Sequence, residues 1–243
     1  MTDGGVTPQG RRMVRVLFGA VCVVAVIVVV ITVAPSLKPA ATAVSPGAGI
    51  VVDDADGGEA KACTLGFLAS GADGAQYALT AGHCNQGGDV AMSYRITGNL
   101  RKIGRFAHTV HEGRWGPDIA AIRLDDDGPR RDPRILTERD VTGVAKHLLA
   151  EDTLCFDGKT SGFQCGTISP ALHSGARFRD MTGLILITGR AEPGDSGSPV
   201  YRLEPDGSAS AVGVVNGNLP GIAVVVTLLR PYLEQWDLTL TTD

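Results

Sequence analysis

Residues 210–229 read SAVGVVNGNLPGIAVVVTLL, two short runs rich in valine that are separated by Asn, Gly and Pro. Short β-branched runs bounded by such residues are typical of β-strands joined by turns. Similar runs occur earlier in the chain, as CTLGFLAS (63–70), QYALTAGHC (76–84), DIAAIRL (118–124) and LILITG (184–189). No alternation of strand and helix patterns accompanies them. The sequence therefore predicts an all-β sandwich or barrel.

The composition limits the classes of fold and partner. The 243 residues include 32 glycines, aromatic residues make up 5%, and the formal net charge is -4 at pH 7. Abundant glycine with few aromatics favours short strands and tight turns over long helices. A slightly acidic chain lacks the basic surface that nucleic-acid binding needs, so we expect no nucleic-acid partner.

An apolar run without charged residues occupies residues 16–34. Such a run can cross the hydrocarbon core of a bilayer, which is about 30 Å thick. Arginines precede the run and the first cation after it is Lys38, so the positive-inside rule predicts a cytoplasmic tail at residues 1–15. The alternative is a cleaved signal peptide, because TVA (32–34) and ATA (41–43) resemble cleavage sites. We expect a single-pass membrane protein with its globular part outside the cell, or a secreted protein.

The rest of the chain divides at a charged segment. Residues 35–49, which contain Pro, Ala and Ser, are expected to form a flexible stem before a domain at about 50–243. Residues 125–134 read DDDGPRRDPR and are too charged to bury apolar surface. They predict an exposed linker between a first half at about 50–124 and a second half at about 135–243.

Two short helices are expected in the second half. Val141, Val144, Ala145 and Leu148 recur at roughly helical spacing within residues 135–150. A proline at the start of PYLEQWDL (231–238) fits the first turn of a C-terminal helix.

Residues 194–199, GDSGSP, have the composition of a nucleophile turn. A nucleophilic serine needs close approach by a carbonyl group and backbone N–H groups aimed at the oxygen that becomes negative. Glycines on both sides of Ser196 permit a tight turn, and the N–H groups of Gly194 and Ser196 would form the oxyanion hole. The alternative is an ordinary turn without chemistry.

Two further segments supply the partners that such a serine needs. His83 follows an apolar strand and precedes Cys84, where a disulfide would hold a general base in place. Asp118 opens another apolar strand, from which a carboxylate can orient a histidine. Each residue alone has an ordinary structural explanation, but the chain order His83, Asp118, Ser196 favours a catalytic triad.

TAGHC (80–84), DIAAIRL (118–124) and GDSGSP (194–199) resemble the signature segments of the chymotrypsin-like serine proteases. The resemblance is closest to the bacterial branch of alpha-lytic protease and the streptogrisins, and it covers nearly the whole chain from Ile50. It includes the segments 62–70, 153–168, 212–218 and 228–240. It implies two antiparallel six-stranded β-barrels that meet at a cleft containing the triad.

The cysteines fit this resemblance. Four of the five lie outside the apolar run, and an even set in an exported domain suggests disulfides. The resemblance implies the pairs Cys63–Cys84 and Cys155–Cys165, the first bracing the His83 loop and the second closing a hairpin. Cys22 is then unpaired.

The resemblance also implies a specificity pocket between two segments. Its candidate residues are Arg190, Glu192, Pro193, Val215, Asn216 and Gly217. The cysteine pair that commonly staples this pocket in the family is missing, which predicts looser walls. Arg190 either favours an acidic substrate residue before the scissile bond or points to solvent.

Three further departures from the family pattern bear on activity. Ser198 replaces a glycine after the nucleophile, where a positive φ would be strained. Asn216 replaces a serine that supports the triad carboxylate. The sequence before residue 50 has no room for the long folding pro-region of alpha-lytic relatives, and an alternative activation step is cleavage before Ile50 that releases an amine to pair with Asp195.

These observations predict a serine endopeptidase, acting outside the cytoplasmic membrane through an acyl-enzyme on a protein or peptide substrate. We expect a monomer without cofactor or metal, since His108 and His111 lack further ligands nearby and His147 and His173 have no partner motif. One alternative is a non-catalytic extracellular binding module that retains the fold, motivated by Ser198 and Asn216. An esterase is a weaker alternative because no α/β alternation surrounds the serine.

Overall fold

The computed structural model describes Met1 and residues 43–93, 100–113, 116–150, 152–168, 183–219 and 223–243. The first half of this part contains the strands β1 (Gly49–Asp54), β2 (Lys61–Thr64), β3 (Leu68–Gly71), β4 (Gln76–Thr80), β5 (Gly87–Ser93), β6 (Leu100–His111) and β7 (Asp118–Leu124). The second half contains β8 (Val141–Val144), β9 (Thr153–Gly158), β10 (Gly162–Thr167), β11 (Leu184–Ile187), β12 (Pro199–Leu203), β13 (Ala209–Leu219), β14 (Ala223–Leu228) and β15 (Leu238–Leu240). A short helix, α1 (Arg230–Gln235), precedes β15.

These strands form two sheets. The first has the order β15-β3-β4-β7-β6-β5-β1-β2, and the second has the order β10-β9-β12-β13-β14-β11 with β8 beside β13. All pairs are antiparallel except β8 with β13. The prediction of an all-β fold with a short C-terminal helix is confirmed.

Strand β7 shows why the two sheets meet where they do. Ile122 and Leu124 pack into the interior of the first sheet, whereas Ile119 and Ala121 belong to a core cluster that also contains Tyr201 of the second sheet. A strand buried on both faces has a nearly continuous apolar sequence, as DIAAIRL does. The amino end of β7, where Asp118 lies, is therefore held at the junction of the sheets.

The strand counts differ from the expected pair of six-stranded barrels. In the described residues the sheets have eight and seven strands, each curled around its own apolar cluster. One reason is that β15 does not join the second half of the chain, because α1 returns it to pair with β3 of the first sheet. The C-terminal segment thus links the two halves, and its strand lies outside the half that the sequence predicts for it.

The helix expected within residues 135–150 is wrong. Val141 to Val144 forms β8 instead, and Val141 is fully buried opposite Ala209 of β13. Valine and threonine are β-branched and favour a strand once a neighbouring strand edge is present.

Residues 43–48 also differ from the expected flexible stem, since every residue of this segment is buried. The Val44 N–H donates to the Arg130 carbonyl and the Leu136 N–H donates to the Pro46 carbonyl, both at 2.8 Å. The tail at 1–15 beyond Met1, the apolar run at 16–34 and the first part of the stem lie outside the described residues. Within the described part, no helix is long and apolar enough to cross a membrane.

The linker between the two halves contains a buried carboxylate with two arginine partners, although its charge predicts full exposure. The Asp132 side chain is 3% exposed and accepts hydrogen bonds from Arg134 Nε at 2.9 Å and Nη2 at 2.8 Å. Arg130 Nη2 lies 2.8 Å from the same carboxylate. The hydrogen bonds from Arg134, with its positive charge, hold the pKa of Asp132 below its ordinary value.

We expect Asp132→Asn to destabilise the fold by about 1–3 kcal/mol at pH 7, because the charged hydrogen bonds are lost. Since the folded state lowers the pKa of Asp132, its contribution is complete above the ordinary carboxyl pKa of about 4 and is lost as the pH falls through the lowered value. Urea midpoints at pH 7 and pH 3 measure this difference. Asp126→Asn, an exposed turn residue, is the control, and an equal Asp132 effect at both pH values would contradict the assignment.

Candidate active site

His83 lies in a single 3₁₀ turn, Gly82–Cys84, directly after β4. Cys84 is joined to Cys63 of β2 by a disulfide, and Lys61 Nζ donates to the His83 carbonyl at 2.7 Å. A side chain at position 82 would collide with the Val110 carbonyl and the Asp118 carboxylate, so only glycine fits there. The turn is thus tied twice to β2, which fixes the backbone position from which the His83 imidazole projects.

Asp118 receives its hydrogen bonds from two histidines. The residue is 3% exposed, and its Oδ2 lies 2.5 Å from His83 Nδ1. Its Oδ1 accepts the His83 backbone N–H at 2.7 Å and lies 3.1 Å from His111 Nδ1. Because an ionised carboxylate only accepts, His83 carries its proton on Nδ1 when it bonds to Asp118.

Ser196 completes the constellation from the second half of the chain. Its Oγ lies 2.9 Å from His83 Nε2, although the two residues are 113 positions apart in sequence. With the His83 proton on Nδ1, Nε2 is free to accept the serine hydroxyl proton. The predicted residues His83, Asp118 and Ser196 are therefore brought together in hydrogen-bonding geometry.

The turn around Ser196 uses glycine where the backbone requires it. Gly194 has φ of 102° and Gly197 has φ of 89°, and a side chain at 197 would collide with Thr80 and the Thr64 carbonyl. Within the described part of the chain, neither the Gly194 N–H nor the Ser196 N–H donates to another protein group. Two unpaired N–H groups next to a serine hydroxyl are suited to an oxygen that gains negative charge.

Thr64 holds this turn in place and was not identified from the sequence. Its N–H donates to the Ser196 carbonyl at 2.8 Å, and its hydroxyl donates to the Gly194 carbonyl at 2.7 Å. Thr64 is fully buried at the end of β2. A threonine beside a cysteine carries no sequence signal for this role, since one partner, Gly194, is 130 positions away in sequence and the other, Ser196, lies two positions further on.

Comparison with known proteins agrees with this geometry. No family model matches the chain. Serine protease 2 of Streptomyces fradiae is 30% identical over 163 residues, which cover 64% of this chain and 86% of that protein. The chain belongs to the chymotrypsin-like serine protease family.

Two other similarities are consistent with this family. Protease A of Thermobifida fusca has a TM-score of 0.61 and 25% identity, with 83% of this chain and 100% of that chain covered. An uncharacterized protein of Mycobacterium tuberculosis is 32% identical over 173 residues, which cover 68% of this chain and 72% of that protein. The resemblance to bacterial chymotrypsin-like proteases is thereby confirmed.

Ser198 is accommodated in this structure without the strain that a positive φ would cause. It is not among the non-glycine residues with positive φ, which in the described part are Leu136, Thr137 and Asp237. Its fully buried hydroxyl donates to the Asp195 carbonyl at 2.6 Å. The serine therefore adds a hydrogen bond to the nucleophile turn.

Asn216 takes part in the site indirectly. Its Oδ1 accepts the Thr227 hydroxyl proton at 2.6 Å, and the same Thr227 hydroxyl accepts the Asp118 N–H at 3.1 Å. Asn216 thus supports the backbone of Asp118 through Thr227, whereas the sequence comparison suggested support of the carboxylate. Thr227 is fully buried in β14 and was also missed from the sequence.

Asn218 joins the two segments of the predicted specificity pocket. Its Oδ1 accepts the Ala191 N–H at 2.8 Å, and its Nδ2 donates to the Ala191 carbonyl. Val215 is held on the same strand, where its N–H donates to the Ser198 carbonyl and its carbonyl accepts the Gly197 N–H. Asn218 therefore joins the two walls through Ala191, and Val215 is fixed to the turn at 197–198, although the missing cysteine pair predicts looser walls.

The charged candidates of this pocket face outward. Arg190 Nε lies 2.9 Å from a Glu192 carboxylate oxygen, and the Arg190 side chain is 79% exposed. Pro193 is exposed as well, while Gly217 lines the cleft beside His83. The sequence left two possibilities for Arg190, selection of an acidic substrate residue or exposure to solvent, and this geometry favours exposure to solvent.

Asp195 is fully buried, and its charge is balanced by backbone groups. Oδ1 accepts the N–H groups of Thr160 at 2.8 Å and Ser161 at 3.1 Å, and Oδ2 accepts that of Glu192 at 2.8 Å. Ile50, whose amine would replace these donors after cleavage, lies inside β1 and pairs with Cys63 and Met92. The Asp195 carboxylate therefore has its hydrogen-bond donors while the chain is uncleaved before Ile50.

The hairpin that binds Asp195 contains the second predicted disulfide. Cys155 of β9 and Cys165 of β10 are opposite each other and bonded, and the turn between these strands carries Thr160 and Ser161. The disulfide thus braces the turn that binds Asp195, the residue before the candidate nucleophile Ser196.

The remaining histidines and cysteines offer no metal site in the described residues. The single cluster of potential ligands is Cys63, His83 and Cys84, and its two sulfur atoms are committed to a disulfide. His108 stacks on Trp236 with ring centroids 5.3 Å apart. His147 is exposed, and His173 lies outside the described residues.

Proposed function

We propose that this protein is a serine endopeptidase that hydrolyses peptide bonds through Ser196, His83 and Asp118. The observation that carries the proposal is the chain of two hydrogen bonds, Ser196 Oγ to His83 Nε2 at 2.9 Å and His83 Nδ1 to Asp118 Oδ2 at 2.5 Å. Nucleophile, base and orienting carboxylate are in the order that acyl transfer requires.

The first half of the reaction forms an acyl-enzyme. Ser196 Oγ attacks the substrate carbonyl carbon while His83 Nε2 takes the hydroxyl proton, and Asp118 stabilises the resulting imidazolium. The Gly194 and Ser196 N–H groups bind the oxyanion, each contributing about 3–4 kcal/mol to the transition state. His83 then gives its proton to the leaving amine as the peptide bond breaks.

Water completes the second half of the reaction. His83 removes a proton from the water, which attacks the ester carbonyl, and the proton returns to Ser196 Oγ as the acid product leaves. This sequence needs no cofactor. The cleft beside His83 and Gly217 would receive the substrate chain, and the pocket between Arg190–Pro193 and Val215–Asn218 would receive the residue before the scissile bond.

The proposal includes action outside the cytoplasmic membrane, with residues 16–34 as the anchor or cleaved signal. The protease domain, expected at residues 50–243, is extended to residue 43 by the buried segment 43–48. Two disulfides within the domain support export, because disulfides persist in oxidising compartments. We propose a monomer that acts on proteins or peptides.

A fluorophosphonate probe tests both parts of the proposal. The full chain is expressed in a bacterial host, and intact cells are treated with a probe that cannot cross the membrane. We expect label on the tryptic peptide 191–202, with fragment ions placing it on Ser196, and cleavage of a peptide library by the purified protein. Heat-denatured protein is the control.

The alternative of a non-catalytic binding module predicts a folded protein without label and without hydrolysis of any library peptide. That result would overturn the enzymatic proposal. Label obtained only after the cells are lysed would leave the enzyme in place but refute action outside the membrane. The two departures that motivate the alternative are Ser198 and Asn216, and both side chains make hydrogen bonds that support the site.

A further inference from the structure

The carboxylate of Asp118 has a donor that the proposed mechanism does not use. Besides the two N–H groups of His83, Nδ1 of His111 lies 3.1 Å from Asp118 Oδ1. The rings of His83 and His111 have centroids 6.0 Å apart. One carboxylate is therefore shared by two imidazoles, of which only His83 contacts Ser196 Oγ.

The position of His111 follows from strand register. His111 is the last residue of β6 and pairs directly with Asp118, the first residue of β7. Side chains of directly opposite residues in an antiparallel pair project to the same face, a few ångströms apart. His111 is thus held against the carboxylate by the same sheet that positions Asp118.

His111 also borders the cleft. A cavity of about 160 Å³ has His83, His111, Asp118, Asn216 and Gly217 in its walls. The His111 side chain is 47% exposed, so its proton can exchange with solvent. Asn216 does not fill this role, because among the described residues its amide accepts the Thr227 hydroxyl proton through Oδ1 and its Nδ2 makes no hydrogen bond to the Asp118 carboxylate.

We propose that His111 is a positioning residue of the triad. The neutral imidazole of His111 holds the Asp118 carboxylate in place, whereas the protonated imidazole pairs with that carboxylate and reduces its stabilisation of the His83 cation. This inference rests on the proposed function. In the neutral form, the Nδ1–H of His111 donates to Oδ1 and leaves the negative charge of Asp118 available to the His83 imidazolium.

Protonation of His111 changes this balance. A cation there pairs with Asp118 and repels the positive charge that His83 must acquire during attack. Among the described residues, the titratable groups facing His111 are Asp118 of β7 and His83 of the 3₁₀ turn, and Glu112 follows it in sequence. The walls from β13 and β14 contribute residues that do not titrate, namely Asn216, Gly217, Asn218 and Val225. Activity should therefore be lost in acid by two protonations, on His83 and on His111.

Two variants separate the hydrogen bond from the charge. His111→Asn places an amide N–H where Nδ1 lies but cannot become cationic, and His111→Phe keeps a ring without a donor. We expect the Phe variant to lower kcat about tenfold and the Asn variant to stay within about threefold of the parent protein. In the acid limb of log kcat/KM against pH, the parent should reach a slope of two and both variants a slope of one. His147→Asn, an exposed histidine remote from the triad, should keep the slope of two.

The outcomes are distinguishable. A parent slope of one, unchanged kcat in His111→Phe, or equal kcat in the two variants would each overturn the role of His111 while fluorophosphonate labelling of Ser196 still supports the protease. A parent protein that is neither labelled nor active would overturn both proposals. Melting temperatures check that the variants fold. If His111→Phe does not fold, the role of His111 is tested by comparing the acid-limb slope of log kcat/KM in His111→Asn with that of the parent.

Discussion

Replacing Ser196 by alanine is expected to lower kcat/KM for peptide cleavage by at least about 10⁴-fold and to abolish fluorophosphonate labelling. The Ser196 hydroxyl lies 2.9 Å from His83 Nε2, and alanine leaves the base without this group to deprotonate. The residual rate would come from oxyanion stabilisation and substrate binding alone. Single-turnover assays on a peptide substrate measure the decrease.

Ser208→Ala is the matched control, because this serine lies in a surface turn where its hydroxyl bonds to Asp206. It should retain parental cleavage and labelling. Label that remains on peptide 191–202 of Ser196→Ala, for example on Ser198, would show that the nucleophile is assigned to the wrong residue.

The second large effect is expected for Asp118→Asn, which should lower kcat by about 10⁴-fold with little change in stability. The amide of asparagine can donate to His83 Nδ1, which moves the imidazole proton to Nε2. Nε2 then cannot accept the proton of Ser196. Asparagine keeps an oxygen for the His83 N–H, so the turn that carries His83 should stay in place.

The rate of fluorophosphonate labelling should fall in parallel with kcat, since both depend on deprotonated Ser196 Oγ. Asp127→Asn, in the exposed linker turn, serves as the control and should behave like the parent. Retention of kcat within tenfold in Asp118→Asn would mean that the carboxylate does not orient His83.

Two of the three catalytic candidates, His83 and Ser196, were accessible from sequence because each lies in a segment with strong local requirements. Gly194 and Gly197 have positive φ values, and Gly82 leaves no room for a side chain. These glycines flank Ser196 and His83, and the resulting short sequence patterns are specific enough to recognise. The strands were accessible for a similar reason, since β-branched runs bounded by turn residues leave a strong local pattern.

Other elements were misjudged because local pattern and tertiary environment disagree. The spacing of apolar residues within 141–144 is compatible with either a helix or a strand. These residues form a strand because they pair with the open edge of β13. Asp132 lies in a segment whose charge predicts exposure, but Arg134 and Arg130 make its burial favourable. Strand β15 completes the first sheet because Leu238 to Leu240 finds an open edge at β3.

Residue identity along the chain was sufficient to predict the fold class and to select the candidate nucleophile turn and the candidate triad, because short-range sterics and hydrogen bonding leave a signature in neighbouring residues. The supporting contacts arose only when distant strands came together. Thr64 meets Gly194 across 130 residues, Thr227 meets Asp118 across 109, and His111 meets Asp118 through the register of β6 and β7. Such partners are chosen by the geometry of packed sheets, which bring together residues that have no common local pattern.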